Sequence, residues 1–541
     1  MLSLPLVMTS CGELFDMLDN PITPALQVLR AQLTLKVGES KPIQASTQAH
    51  VVLLYSSDNP AVATVDATGL ITAVSPGTAR ITIKAQGEDD YYRTEIFSEN
   101  TTTVEVTVTK KDGSITFATS NVIKSFGDDA FTNPLTIVGD GTVTYSSSNT
   151  DVATVDANGN VSIIDGGTAI ITATTANTDE YAYKPDYAQY TLRVIKIIDL
   201  STLTSDYIAQ DNNILTGTLA GNYKITIADN ANVELKDVTI NGVNDEAYKW
   251  AGLTCLDNAN ITITGTNTVK GFYREYPAIQ AGPIGKTLTI NGTGTLTATG
   301  GDFAAGIGSG FNGSSCGNIT INGGTVNASS SFSGAGIGSG YSNSSCGAIT
   351  ISGGTVNANS IKNGAGIGSG YNGSSCGAIT ISGGTVYANS ANFGAGIGSG
   401  FNDSSCGHIT ISGGTVTASS GQFGAGIGSG YSNSSCGAIT ISGGTVMASS
   451  GQFGAGIGSG YDSTFGSITI TADITQVQAT RNNAAAWPIG KGHSDNGSGA
   501  VSIARVIVTS KDWDGTGLSG SGLTLTGAGT NTWTLTSTTT P

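Results

Sequence analysis

Charge is scarce in this 541-residue chain. Only 11% of its side chains are Asp, Glu, Lys or Arg, against about 25% in an ordinary soluble domain. That excludes a coiled coil and a charge-rich disordered tail. The charge present is one-sided, 39 acidic against 23 basic groups and a net −16. Phosphate would be repelled, so nucleic acid is not expected as a partner. Histidine occurs three times, at His50, His408 and His493, which leaves little material for imidazole chemistry. No apolar run approaches the roughly 20 residues that cross a bilayer.

Glycine, by contrast, is abundant: 77 residues, of which 43 lie between Gly301 and Gly460. They follow no Gly-X-Y period, so collagen is excluded. The period present is 30. Ala-Gly-Ile-Gly-Ser-Gly begins at Ala305, Ala335, Ala365, Ala395, Ala425 and Ala455, and such a repeat marks a stacked architecture. Each unit offers three extended pieces, for example Ala335–Gly338, Ala348–Ser352 and Thr355–Ala358. None can bury a core alone, so the units must stack as coils of a right-handed parallel β-helix. Alternation then points Ile349, Ile351, Val356 and Ala358 inward and Thr350, Ser352 and Asn357 outward. The strict repeats run over about 303–461 within a β-helix domain spanning 200–541, with a C-terminal cap over about 500–541. Trp250, Trp487, Trp513 and Trp533 all lie outside the strict repeats and are expected to plug the open ends.

The first half of the chain is different. Residues 1–200 hold 23 acidic and 12 basic side chains, whereas Phe303–Tyr461 holds only Lys362 and Asp403. Short alternating strands and turn signals here predict β-sandwiches. Tyr55-Ser-Ser-Asp-Asn59 returns as Tyr145-Ser-Ser-Ser-Asn149, and Val62-Ala-Thr-Val-Asp-Ala67 as Val152-Ala-Thr-Val-Asp-Ala157. Residues 30–110 and 113–197 are therefore two copies of one domain. These words resemble the bacterial Ig-like domain of the group 2 type, which implies surface modules that act as spacers. The expected fold is all-β: two Ig-like sandwiches followed by a parallel β-helix with 30-residue coils.

Residues 1–29 read as a truncated signal and tether. Met8-Thr9-Ser10-Cys11 resembles the lipobox of a bacterial lipoprotein signal, without its basic start. The resemblance implies acylation of Cys11 and an outer-membrane lipoprotein facing outward, with the membrane reached through that lipid anchor only.

Candidate chemistry is sparse. A β-helix enzyme that cleaves polysaccharide needs carboxylates converging on one groove, and the strict repeats hold one, Asp403. Asp229, Glu234, Asp237, Asp257 and Glu275 in the early coils are the one place for a lyase or a calcium site, and scattered solvated charges are the plainer reading. Asp66 and Asp156 read as turn formers rather than calcium ligands. No catalytic residue, resident metal or other cofactor is expected, calcium being the sole candidate. Cys316, Cys346, Cys376, Cys406 and Cys436 fall on one position of five coils and read as buried thiols filling a corner. Phe311, Tyr341, Tyr371, Phe401, Tyr431 and Tyr461 form an aromatic ladder, either a platform for sugar rings or a stack sealing a corner. Tyr181, Tyr183, Tyr187 and Tyr190 pose the same choice in the second Ig-like copy.

The Gly-Ile-Gly-Ser-Gly and Ile-Thr-Ile-Ser-Gly-Gly-Thr-Val words, with Asn260–Val269, resemble carbohydrate-binding β-helix domains of bacterial surface proteins. The resemblance implies non-catalytic binding of extracellular polysaccharide or of a host or neighbouring cell surface. The near-uncharged repeats depart from relatives that take acidic glycans with calcium. The expectation is an adhesin or polysaccharide-binding protein rather than an enzyme; the alternatives are a β-helix lyase or hydrolase and a purely structural stalk.

Overall fold

The computed structural model describes residues 23–48, 51–87, 98–482, 485–495, 499–503, 506–509, 523–527 and 531–537. Cys11, His50 and Trp513 lie outside them. The chain divides into two compact units, one of residues 1–122, 129–164 and 169–192, the other of residues 123–128, 165–168 and 193–541.

In the first unit, the first Ig-like copy is a sandwich. A four-stranded sheet orders Gln32–Lys36, Asn100–Thr109, Gly77–Gly87 and Val51–Ser57, opposite a three-stranded sheet of Ser40–Pro42, Leu70–Ala73 and Ala63–Val65. The β-branched residues that alternate along these strands meet between the sheets, with Ile71, Ile81, Ile83 and Val106 fully buried. Burying each is worth about 1.5–3 kcal/mol. The duplication holds at the level of single contacts. Asp66 accepts from the amides of Thr68 and Leu70 at 2.9 Å, and Asp156 from those of Asn158 and Asn160 at 2.9 and 2.8 Å. Both are Asx turns. The turn ends in Gly69, at φ +80°, where a Cβ would lie 2.8 Å from Tyr55 Cζ; Gly159 and Tyr145 repeat the arrangement.

The second unit is a parallel β-solenoid. One ladder of eleven rungs runs from Tyr207–Ala209 to Ile489–Gly490. Units stack residue on equivalent residue: Ile337 on Ile367, Ile349 on Ile379, Val356 on Val386. The residues expected inside are inside, with Ile349, Ile351, Val356 and Ala358 fully buried. A coil has four strands rather than the three read from sequence, for example Ile337–Gly338, Ser345–Cys346, Ile349–Ile351 and Thr355–Ser360. The extra strand lies in a Ser-Ser-Cys-Gly stretch that looks like a turn, and its two residues are extended because each coil hydrogen-bonds to the next.

Glycine and serine have separate duties in the coil. Gly338 has φ +136°, and a Cβ there would stand 1.8 Å from the carbonyl oxygen of Gly368. Ser339, fully buried, accepts from the amide of Gly370 one coil on at 3.0 Å, and Ser309, Ser369, Ser399, Ser429 and Ser459 do the same. A buried hydroxyl thereby satisfies a backbone donor in each of these six coils.

At the C-terminal end, Thr532–Ser537 runs antiparallel to Gln476–Thr480 and pairs with Leu523–Thr526. Trp533 is buried there and meets Trp487 edge-on, ring centroids 6.3 Å apart, so these two fill the end as expected. Trp250 does not. It precedes the third rung of the ladder, Leu253–Cys255, and packs between Tyr248 and Phe272. Among the described residues no helix is long and apolar enough to cross a membrane.

Candidate functional site

The six residues of the aromatic ladder come together. Each follows the Gly-Ser-Gly word, so the in-register backbone brings the rings over one another: Tyr341 to Tyr371 at 5.0 Å and 10°, Tyr371 to Phe401 at 4.9 Å and 9°, Phe401 to Tyr431 at 5.0 Å and 1°. Phe311 stacks below at 5.3 Å. Tyr461 meets Tyr431 edge-on at 5.3 Å, and His493 stacks on Tyr461 at 5.1 Å. All six rings are half-buried. Burial, and then the neighbouring Tyr341, raises the Tyr371 hydroxyl above the usual phenol range.

A second aromatic row, not foreseen from the sequence, packs against the first. Phe303 lies on Phe311 and Tyr341, Phe393 on Phe401 and Tyr431, and Phe423 on Tyr431 and Phe453. The signal was a phenylalanine two residues before the Ala-Gly-Ile-Gly word. Two coils lack it and carry Ser333 and Asn363, both buried, with Asn363 Nδ2 donating to Ser333 Oγ at 3.1 Å.

The cysteine ladder is buried and in register, without disulfides, and Phe465 continues it on Cys436. Cys346 is held protonated, its pKa well above the ordinary thiol value through the Cys316 and Cys376 thiols and burial; Cys376 and Cys406 are shifted the same way. Burial alone pushes Cys255 to about 12. These are apolar fillers with weak sulfur contacts, such as Cys346 Sγ to the Gly317 carbonyl at 3.7 Å.

Of the early-coil carboxylates, Asp257 and Asp229 both act on Lys286, raising its pKa, and the others have partners of their own. Glu234 accepts from Thr264 Oγ1 at 2.6 Å, Asp237 from the Thr266 amide at 2.9 Å, and Asp257 pairs with Lys286 at 2.7 Å. Glu275 lies 3.9 Å from Arg274. Among the described residues no three His, Cys, Asp or Glu side chains gather as a metal centre. His408 Nδ1 accepts from the Ala438 amide at 3.0 Å, where Asn318 serves Ala348 in an earlier coil. In the second Ig-like copy, Tyr183 and Tyr190 are core residues. Tyr183 takes the Gly141 amide at 2.8 Å, and Tyr190 meets Phe117 edge-on at 4.8 Å. Burial, then Tyr145, pushes the Tyr190 hydroxyl to about 12. Tyr187 is exposed.

Three family descriptions match parts of the chain. Residues 22–94 match the bacterial Ig-like domain (group 2), and residues 137–177 match the intimin immunoglobulin-like domain. The beta helix repeat matches six times, over 288–311, 319–341, 349–371, 379–401, 409–431 and 439–461. Among curated proteins none matches. Among solved structures, domains 4 and 5 of the S-layer protein SbsC align at 18% identity over 32% of this chain and 99% of that one, TM-score 0.19. Drosophila N-cadherin EC1-4 aligns at 13% over 32% of this chain and 50% of that one, TM-score 0.17. Human protocadherin-24 EC1-2 aligns at 15% over 33% and 99%, TM-score 0.17. Two Ig-like matches of bacterial surface type beside a run of β-helix repeats fit an extracellular surface adhesin or stalk.

Proposed function

We propose that this protein is a non-catalytic adhesin or polysaccharide-binding protein of the bacterial cell surface, with the Ig-like modules as spacers and the solenoid as the binding element. The observation that carries the reading is the solenoid surface from Phe303 to Tyr461. Uncharged polar rows repeat there in register, coil after coil, and only Lys362 and Asp403 are charged. Such a surface suits a neutral, repeating ligand. The separate partners of Glu234, Asp237 and Glu275 favour binding over cleavage.

In this reading the aromatic seam Phe311, Tyr341, Tyr371, Phe401, Tyr431 and Tyr461 contributes ring edges and hydroxyls, because the ring faces lie against one another. Phenylalanine already occupies two rungs of the seam, so replacing Tyr341, Tyr371 and Tyr431 together by Phe keeps the stack. Glycan-array signal should then fall severalfold. An unchanged signal removes the seam from the contact, and release of reducing or unsaturated ends from any polysaccharide overturns the non-enzymatic reading. The lipid anchor on Cys11 is tested by metabolic labelling with an alkyne fatty acid, which should label the protein and be lost in Cys11→Ala.

A further inference from the structure

Between Phe303 and Tyr461 large apolar side chains are exposed at four places: Phe332 39%, Ile361 58%, Tyr387 47% and Met447 38%. All four lie on one of the four strand ladders or in the turns that leave it. Tyr387 and Met447 stand in a single outward row, which reads Asn327, Asn357, Tyr387, Thr417, Met447, Gln478 from rung to rung. Phe332 and Ile361 sit in the turns that leave Thr325–Ser330 and Thr355–Ser360. Lys362, the sole cation of the strict repeats, lies 4.6 Å from the Phe332 ring centroid. The other three ladders of these coils carry no exposed large apolar side chain.

Folding does not require these residues. The position of Tyr387 is filled by Asn357 one rung before and Thr417 one rung after, so the coil forms equally well around a small polar side chain. A solvent-facing ring or thioether adds nothing to the core, and exposed apolar surface carries an association liability. Their confinement to one ladder and the turns that leave it is therefore informative. The seam rings are stacked on each other, whereas Tyr387 stands beside the Asn357 amide on one side and Thr417, whose hydroxyl is buried, on the other. That combination of an aromatic body with a hydrogen-bonding neighbour is how a pocket or surface holds a polar ring with apolar faces.

We propose that this ladder is a glycan-contact face in addition to the seam, with Tyr387 as the platform for a sugar ring, Asn357 beside it as a hydrogen-bonding partner, and Met447 and Ile361 as flanking apolar contacts. The proposal rests on the reading that the solenoid binds polysaccharide and assigns where it does so. The ligand is neutral, because between Phe303 and Tyr461 a polyanion would find only Lys362 to complement it along this face. It is extended, because the row continues in register over several rungs.

The experiment is affinity electrophoresis of the full chain in gels containing xylan, mannan or mixed-linkage β-glucan, with alginate as the anionic comparison. Tyr387→Thr and Met447→Thr each install the side chain that rung 417 already carries, so the fold is retained, which far-ultraviolet circular dichroism verifies. Wild type should be retarded by at least one neutral glycan. Tyr387→Thr should weaken that binding by about tenfold or more, as loss of a central aromatic anchor does. Tyr387→Phe should retain it, and Thr410→Ala on the adjacent ladder should leave it unchanged. Retarded wild type with an equally retarded Tyr387→Thr overturns this placement while glycan binding stands. Wild type that no gel retards overturns glycan binding and this face with it. Retardation by alginate alone overturns the neutral ligand.

Discussion

At the scale of single residues, the coil is limited by places where a side chain has no room. Gly368 combines φ +136° with a Cβ position 1.8 Å from the Gly398 carbonyl oxygen. Gly368→Ala should therefore cost more than about 2 kcal/mol, since the strain and the clash with backbone add. The midpoint of urea unfolding measures it, and a shift below about 0.5 kcal/mol would show that adjacent coils yield. The thiols make a second case. Cys346, Cys376 and Cys406 are held protonated in the fold, whereas an unfolded thiol ionises near 8.5. Because the folded pKa is the higher one, the unfolded state loses protons first as pH rises. The contribution of these thiols to stability is thus complete below about pH 8 and falls as pH climbs from there toward the folded thiols' range. Denaturation midpoints at pH 7 and pH 10 should differ in that direction, and thiol reagents at pH 8 should label the native protein far more slowly than the unfolded one. Rapid labelling of the folded chain would contradict the burial.

At the scale of the element, the turn after each of the first five seam aromatics is built from two successive left-handed residues. Ser342 and Asn343 have φ of 65° and 54°, and Asn372 and Gly373 of 64° and 67°. This conformation is costly for most side chains and tolerated by Asn, Asp and Gly, which accounts for the Ser-Asn, Asn-Gly and Asn-Asp variants of the repeat. Serine is the least suited of these, so Ser342→Gly should raise stability by up to about 1 kcal/mol. A thermal melt reads it, and a lower midpoint would mean that the Ser342 side chain does more than occupy a turn. The same element shows where reading the sequence fell short. The strand Ser345–Cys346 has turn-like composition and exists only because Ser375–Cys376 lies beside it. Local propensity carries no trace of a pairing made 30 residues away.

At the scale of the whole molecule, a stack of identical coils has an open end that the next copy could extend. The antiparallel pair Leu523–Thr526 and Thr532–Ser537 closes that end over Gln476–Thr480, with Trp533 opposite Ala479. Deleting residues 523–541 should expose the last rung and give concentration-dependent oligomers in size-exclusion chromatography with light scattering; a monomer at all concentrations would show that the pair is dispensable as a cap.

Scarce charge and repeating glycine were sufficient to establish stacked coils, their inward residues and the neighbourhood of six aromatic side chains, because a strict period makes every residue its own neighbour's neighbour. The duplicated Tyr-Ser-Ser and Val-Ala-Thr-Val-Asp words likewise determined the Ig-like copies, down to the Asx turns of Asp66 and Asp156. Only the tertiary structure decided what each repeated residue faces. Alternation alone cannot tell that the seam rings cover one another, that Ser339 is buried to serve a backbone amide, or that Phe332, Ile361, Tyr387 and Met447 gather on one ladder and the turns that leave it. Those outcomes depend on how the corners turn, and a corner's direction is set by packing and backbone hydrogen bonds between coils rather than by the residues within one.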